Sequence, residues 1–330
     1  MLFLLGPWIV VPLGADLVRG EAASKSSVAR DWVLSASALL TTVSFFLDNR
    51  AAAAWFASSW LLVCAGFAGD GLRRIVTAGT KSFPQFCFAA GEGYLLVAGA
   101  WLVASRAGLQ LLAFREPIVL LTAVHFHFAG FASAVLAGLV DAAFPGCKGH
   151  RWLRAALVAV VLGPGVLGLV FLLGPKAKLV AALLLALGQL GLAGGMVSVG
   201  IAAKQSRGRW LLFVAGASVA AGMILAAVWA IGEYPLQAFV NIRQMAEFHG
   251  VLNAVGFVVC GLLGWKAVSR SHLINASGGL RHRRVGSSQG NFPGNIPSEP
   301  RCGKNYEAKR TGARSSSGGG SAEFDPINRG

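Results

Sequence analysis

Long apolar stretches alternate with short polar connections over the first 270 residues of the chain. An α-helix rises about 1.5 Å per residue and the hydrocarbon layer of a bilayer is about 30 Å thick, so about 20 apolar residues can cross it. The predicted fold class is therefore an all-α, polytopic transmembrane helical bundle. Its nine predicted helices are 1–18, 32–47, 51–69, 84–105, 117–139, 155–173, 177–203, 210–231 and 247–268.

The basic residues of the connections predict an orientation for this bundle. Each connection after an odd-numbered helix carries three Lys or Arg residues, such as Arg19, Lys25 and Arg30 after the first. The connections after even-numbered helices carry fewer, with Arg50 alone after the second and Arg243 alone after the eighth. Because basic connections tend to stay in the cytoplasm, we predict an N-terminus outside and a cytoplasmic C-terminus.

Composition and charge agree with a membrane protein. Only 13% of the residues are charged and the mean hydropathy is +0.62, whereas soluble domains carry about 25% charged residues. The net charge is +15, but the basic residues are spread over the connections and the tail rather than forming one patch, so nucleic acid is not an expected partner. The expected partners are the lipid bilayer and its anionic headgroups, which the basic connections and tail would contact. We expect an integral, multi-pass protein, with the plasma membrane as the default location.

The end of the chain differs in composition from the rest. Residues 270–330 are rich in Gly, Ser, Arg and Asn and nearly free of large apolar side chains. Such a segment buries too little apolar surface to offset its ordering entropy. We therefore predict a transmembrane domain at 1–269 and a disordered, basic, Gly/Ser-rich cytoplasmic tail at 270–330.

Small residues inside the predicted helices indicate close helix packing. Gly191 and Gly195 form a G-x-x-x-G pair in the seventh helix. Small residues let helix backbones approach each other where hydrophobic burial no longer drives association. The pair favours packing within the bundle, and it is also compatible with an oligomer.

A few ionisable or strongly polar side chains lie inside the predicted helices. Each is costly there, by about 2.5–3.5 kcal/mol for a charged group on insertion scales, and calls for a partner or a purpose. Asp16 and Asp141 end their helices, so we expect them to face the headgroups. The candidates for an intramembrane polar site are Glu92, His125, His127, Glu247, His249 and Asn253.

Spacing limits what these residues can do. His125 and His127 are two positions apart, about 200° around a regular helix, so they cannot bind one metal together. His249 and Asn253 are four apart and share a helix face. If the ninth helix begins earlier than predicted, Glu92, one histidine of the fifth helix and His249 could meet in one polar cavity.

Three hypotheses for the polar residues remain open. The preferred one is a proton-coupled transport or relay site, because His and Glu exchange protons near neutral pH when desolvated. The alternative is a metal- or haem-binding redox protein, for which His125, His127 and His249 are weak candidate ligands and no cofactor is strongly implied. The third is a structural or assembly role without chemistry. The chain lacks a phosphate-binding loop and a nucleophile elbow, so nothing favours an enzyme.

Two segments carry a family resemblance. The segment HFHFAGF at 125–131 and the segment HGVLNAVGF at 249–257 resemble motifs of the YndJ-like integral membrane proteins, in the same order. Phe128 stands where a Tyr is common in that family. The resemblance covers about residues 1–270 and implies that His125, His127, His249 and Asn253 belong to the defining motifs, without implying an activity.

Overall fold

The computed structural model describes residues 2–20, 27–78, 82–112, 114–145, 149–171, 173–203, 206–233 and 242–279. Within these ranges the chain is helical and contains no β-strand. Three of the helices change their hydrogen-bonding pattern along their length and include a π-helical segment, in which each N–H bonds five residues back rather than four.

The described residues form nine helices. Helix α1 consists of a 3₁₀ turn Leu2–Leu4, a π-helical segment Gly6–Val10 and an α-helix Val11–Arg19; α5 consists of Ile118–His125, π-helical Phe126–Ala132 and Ser133–Ala143; α9 consists of Ile242–Val251, π-helical Leu252–Val259 and Cys260–Gly279. The others are continuous: α2 Ser27–Ser44, α3 Arg50–Ala78, α4 Phe83–Ala107, α6 His150–Val170, α7 Pro175–Ala202 and α8 Gly208–Glu233.

The all-helical membrane fold predicted from the sequence is confirmed. Seven of the nine helices, α3 to α9, are long and apolar enough to cross a bilayer, and α1 and α2 are the other two. The orientation of the termini stays a prediction. The predicted tail lies outside the described residues from 280 onwards, and α9 continues to Gly279, past the predicted domain boundary.

Helix α5 lies at the centre of the bundle. It contacts α1, α4, α6, α7 and α9. In its most apolar stretch of 18 residues, 61% of the residues are buried, the largest share among the seven long helices. Every residue from Ser133 to Asp141 is buried. Most of the second half of this helix is therefore surrounded by protein rather than by lipid.

Glycines allow close helix contacts around this centre. Gly191 packs against Ala156 of α6, and Gly195 packs against Val140 of α5. A Cβ at either position would overlap the side chain that it faces. The G-x-x-x-G pair of α7 therefore serves contacts within the chain.

An ion pair joins the first helix to the last. Lys266 Nζ donates to Asp16 Oδ2 at 2.9 Å, and Arg19 lies 3.5 Å from the other oxygen of the same carboxylate. Asp16 itself is exposed, and its placement in the headgroup region stays a prediction. The contact bridges α1 and α9, and both helices also contact α5.

Candidate intramembrane site

Both ring nitrogens of His127 make hydrogen bonds within the protein. Its Nδ1 lies 2.8 Å from the backbone oxygen of Ala123, and Trp60 Nε1 donates to its Nε2 at 2.9 Å. A carbonyl oxygen only accepts and an indole N–H only donates, so Nδ1 carries the hydrogen and Nε2 is the acceptor. Both ring nitrogens of this buried residue are occupied, and the histidine ties α5 to α3.

His125 faces the opposite side of α5. It lines a cavity between α5, α6, α7, α8 and α9, and its Nε2 is buried without a hydrogen-bond partner among the described residues. The different surroundings of His125 and His127 agree with their spacing. Of the two, only His125 lines this cavity.

His249 and Asn253 line the same cavity from α9. His249 Nδ1 lies 2.9 Å from the backbone oxygen of Gly222 in α8, so Nδ1 carries the hydrogen and Nε2 keeps a lone pair. Asn253 Nδ2 donates to the backbone oxygen of His249 at 2.8 Å. A Cβ on Gly222 would lie 2.6 Å from Asn253 Nδ2, so the absence of a side chain there permits this approach of α8 to α9.

Glu247 lies at the exposed margin of the cavity. Its Oε1 accepts from Arg243 Nε at 3.0 Å, and the two side chains are 59% and 86% exposed respectively. Helix α9 begins at Ile242 within the described residues rather than at Glu247. The earlier start places the His249 turn inside the helix, as the hypothesis of a shared cavity requires.

Glu92 does not join these residues. It is buried between α3 and α4, where Arg74 donates to both carboxylate oxygens, with Nη2 3.2 Å from Oε1 and Nε 3.3 Å from Oε2. Arg74 Nη1 also donates to Gln85 Oε1 at 3.0 Å. The shared cavity envisaged for Glu92 and the histidines is therefore not formed. Helix α3 continues to Ala78, past the predicted end at residue 69, and this extension carries Arg74 to the carboxylate.

The cavity has a volume of about 830 Å³ and is lined mainly by apolar side chains. Gln189 of α7, which the sequence analysis did not single out, is 3% exposed and lies on its wall. Its Nε2 donates to Ser133 Oγ at 3.2 Å, while its Oε1 has no partner among the described residues. Being uncharged, a glutamine stands out less in an apolar helix than an ionisable residue does. The polar or charged lining residues are His125, Ser133, Lys178, Gln189, Glu247, His249 and Asn253.

The three π-helical segments contact one another beside the cavity. They are Gly6–Val10, Phe126–Ala132 and Leu252–Val259. The last two overlap the segments HFHFAGF and HGVLNAVGF, whose first residues, His125 and His249, lie in the α-helical turns just before them. π-Helical segments occur frequently at functional sites, because the wider turn changes which side chains face a cavity.

Asp141 corrects an expectation from the sequence. It does not face the headgroups but is buried, with Arg154 Nε and Nη2 donating to its two oxygens at 3.0 and 2.9 Å. His150 Nε2 lies 2.7 Å from Oδ1. The reason is geometric: α5 extends to Ala143, and the first turn of α6 places His150 and Arg154, four residues apart, on the face that covers the carboxylate.

The described residues contain no group of three or more His, Cys, Asp or Glu side chains that could hold a metal ion. His125 and His249 line one cavity, but His127 is bonded elsewhere. The three histidines named as weak candidate ligands are therefore not brought together, and the redox hypothesis gains no support from their placement.

Fold and cavity together define a polytopic α-helical membrane protein. The family model described as YndJ-like protein matches residues 1–257, and the chain belongs to this family. The chain is similar to the uncharacterized membrane protein YndJ of Bacillus subtilis (strain 168), with 28% identity over 173 residues, which is 52% of this chain and 31% of that protein. The similarity thus covers about a third of the relative's length. No solved structure matches the chain.

Proposed function

We propose that the protein binds an amphipathic, lipid-sized molecule in the cavity between α5 and α9. The observation that carries the proposal is an apolar cavity of about 830 Å³ that contains a few converging polar groups. Ligand sites typically have volumes of about 300–1,000 Å³ and combine an apolar lining with a small number of placed polar groups. A membrane supplies molecules with this division into an apolar body and a polar head.

The test begins with the lipids that the purified protein retains. Native mass spectrometry of protein extracted in a mild detergent is expected to show a bound molecule of lipid mass. Ala182 lines the cavity, so an Ala182→Phe variant would fill part of it and lose that molecule. Ala202 is exposed at the end of the same helix and does not line the cavity, so Ala202→Phe is the matched control. Equal retention in both variants would dismiss the cavity as the binding site.

Proton-coupled transport is a second candidate, but with fewer participating residues than the sequence suggested. Glu92 and His127 are committed to other partners, which leaves His125 and His249 on the cavity wall. Two histidines facing one cavity favour a ligand movement that depends on their protonation. In proteoliposomes, transfer of the retained lipid should respond to an imposed pH gradient and lose that response in a His125→Asn, His249→Asn double variant. Transfer that ignores the gradient in the unmodified protein would eliminate this candidate.

A further inference from the structure

We propose that the bundle binds the phosphate of an anionic lipid where α1 ends and α2 begins, with Arg30 as the main ligand and Arg19 beside it. The site lies outside the cavity, so its occupation is independent of the proposed function. The observation that carries it is a half-buried guanidinium whose N–H groups have no acceptor within the described part of the chain.

Arg30 lies in the first turn of α2 and stacks on α3. Its Cζ is 4.6 Å from the centroid of the Phe67 ring, which is itself buried. Neither a carboxylate nor a backbone oxygen of the described residues accepts a hydrogen bond from this guanidinium. An arginine has five N–H donors in one plane, and stacking on an aromatic ring leaves those at its edge available. A partly desolvated donor without an acceptor is costly, and a bound anion would remove that cost.

The pKa of Arg30, which precedes the predicted second membrane helix at 32–47, reports its charged neighbours. Burial lowers this pKa, and the positive charge of Arg19 lowers it further. The carboxylates that act in the opposite direction are those of Asp70, Glu92 and Asp31. Arg19 and Arg30 are therefore close enough to repel each other.

Two of these three carboxylates are held by arginines of α3. Arg74 donates to both oxygens of Glu92, and Arg73 Nη2 lies 2.8 Å from Asp70 Oδ1. Asp31 is exposed, and no ion pair joins it to Arg30 among the described residues. The carboxylates near Arg30 thus leave its hydrogen-bonding edge without an anion.

Arg19 has only a share of one carboxylate. Asp16 is 2.9 Å from Lys266 Nζ through one oxygen and 3.5 Å from Arg19 Nη2 through the other. Arg19 Nε donates to the backbone oxygen of Ala15 at 3.1 Å. The longer of the two contacts to Asp16 belongs to Arg19, so this second guanidinium adds positive charge beside the first. Guanidinium groups bind phosphate by paired, charge-assisted hydrogen bonds.

Exposed tryptophans indicate the depth of this end in the membrane. Trp32, Trp152 and Trp210 are exposed and lie near the starts of α2, α6 and α8. Consecutive helices of an antiparallel bundle alternate in direction, so these even-numbered helices begin at one end. Tryptophan is enriched at the membrane interface, and Trp32 is only about 3 Å along the helix from Arg30. Arg30 therefore lies at the depth of the lipid phosphates.

Two lipids with the same chains and different heads test the site. The full-length protein in detergent is titrated with dioleoylphosphatidylglycerol and with dioleoylphosphatidylcholine, and bound lipid is counted by native mass spectrometry. We expect the anionic lipid to bind more tightly than the zwitterionic one. Arg30→Gln should weaken the anionic lipid about tenfold, a factor equivalent to about 1.4 kcal/mol, and leave the zwitterionic lipid unchanged.

Arg73→Gln is the matched control. It removes the same charge from the same end of the bundle, but its side chain is exposed and paired with Asp70, so binding should change by less than about threefold. Arg30→Lys keeps a cation over Phe67 without the planar fork and should restore only part of the affinity. The unfolding temperature without added lipid reports whether each variant is folded, and Arg30→Lys carries the test if Arg30→Gln is not.

The remaining outcomes overturn the site. Equal loss in Arg30→Gln and Arg73→Gln would reveal diffuse surface charge, and full affinity in Arg30→Gln or Arg30→Lys would remove the role of the guanidinium. Arg30-dependent binding of inorganic phosphate alone, without preference between the two lipids, would assign the site to free phosphate. Loss of the anionic lipid in Ala182→Phe would place that lipid in the cavity instead. An empty cavity with Arg30-dependent lipid binding intact would refute the proposed function and leave this site standing.

Discussion

The buried pair of Glu92 and Arg74 allows a stabilising contact to be distinguished from a transport residue. We expect Glu92→Gln to lower the free energy of unfolding by about 1–3 kcal/mol, since it leaves a half-buried guanidinium without its charged partner. Glu92 is 4% exposed and the Arg74 side chain 22%, so water replaces little of the lost interaction. If the residue belonged to a proton pathway instead, stability would hardly change.

The coupling energy of the pair can be estimated from its two hydrogen bonds. A neutral hydrogen bond between membrane helices contributes about 0.6 kcal/mol on average in double-mutant cycles. A charge-assisted bond is about twice as strong, and Arg74 makes two, at 3.2 and 3.3 Å. The cycle of Glu92→Gln and Arg74→Met should therefore give a coupling of about 2 kcal/mol.

The assay is reversible unfolding in mixed detergent micelles, followed by tryptophan fluorescence. The control is the neighbouring pair Arg73 and Asp70, which has a shorter contact of 2.8 Å but side chains that are 74% and 40% exposed. Its cycle should give a coupling of only about 0–1 kcal/mol. A coupling for Glu92 and Arg74 no larger than that of the exposed pair would refute the reasoning, and loss of lipid binding at unchanged stability would return Glu92 to the functional site.

Two further predictions concern helix contacts. Gly191→Ala should lower the thermal unfolding temperature because the new Cβ overlaps Ala156, whereas Gly194→Ala, with nothing within 4 Å of its Cβ, should leave it unchanged or raise it slightly; equal effects would show that α6 and α7 do not pack as described. Trp60→Phe should cost about 1–3 kcal/mol of unfolding free energy by leaving the Nε2 of His127 buried without a donor. Adding His127→Phe to Trp60→Phe should cost less than the sum of the single changes, and simple additivity would argue against the bond.

The helices could be predicted from the sequence because long apolar stretches dominate it, but their contacts could not. The predicted third helix ends at residue 69, which places Arg74 in a connection, because hydropathy marks where apolar residues end and not where the helix ends. In α3 the helical hydrogen bonds continue past that point to Ala78. The partner of Glu92 was therefore hidden in a region assumed to face water.

The same limit applies to the candidate site. The spacing of His125 and His127 was enough to predict that they face different neighbours, because it follows from helix geometry alone. The donor to His127 Nε2 is Trp60, 67 residues away in the sequence. In the sequence alone Trp60 looks like any other apolar residue, and nothing there indicates that its indole N–H binds a histidine. Gln189 went unnoticed because hydropathy reveals charges in a membrane helix more readily than a single amide.

The π-helical segment of α5 separates two halves of one helix that have different tasks. His125 on one side faces the cavity, and Asp141 on the other binds the start of α6. A π-helical turn accommodates one residue more than an α-helical turn, so the segment takes up an extra residue while the α-helical halves on either side keep nearly the phase of an uninterrupted helix. Deleting a single residue between 126 and 132 would therefore let the helix return to regular α geometry, unbroken, with His125 and Asp141 still turned towards their present surroundings. Converting the segment to α geometry with all its residues retained would instead turn the two halves relative to each other, since each residue rotates an α-helix by about 100°.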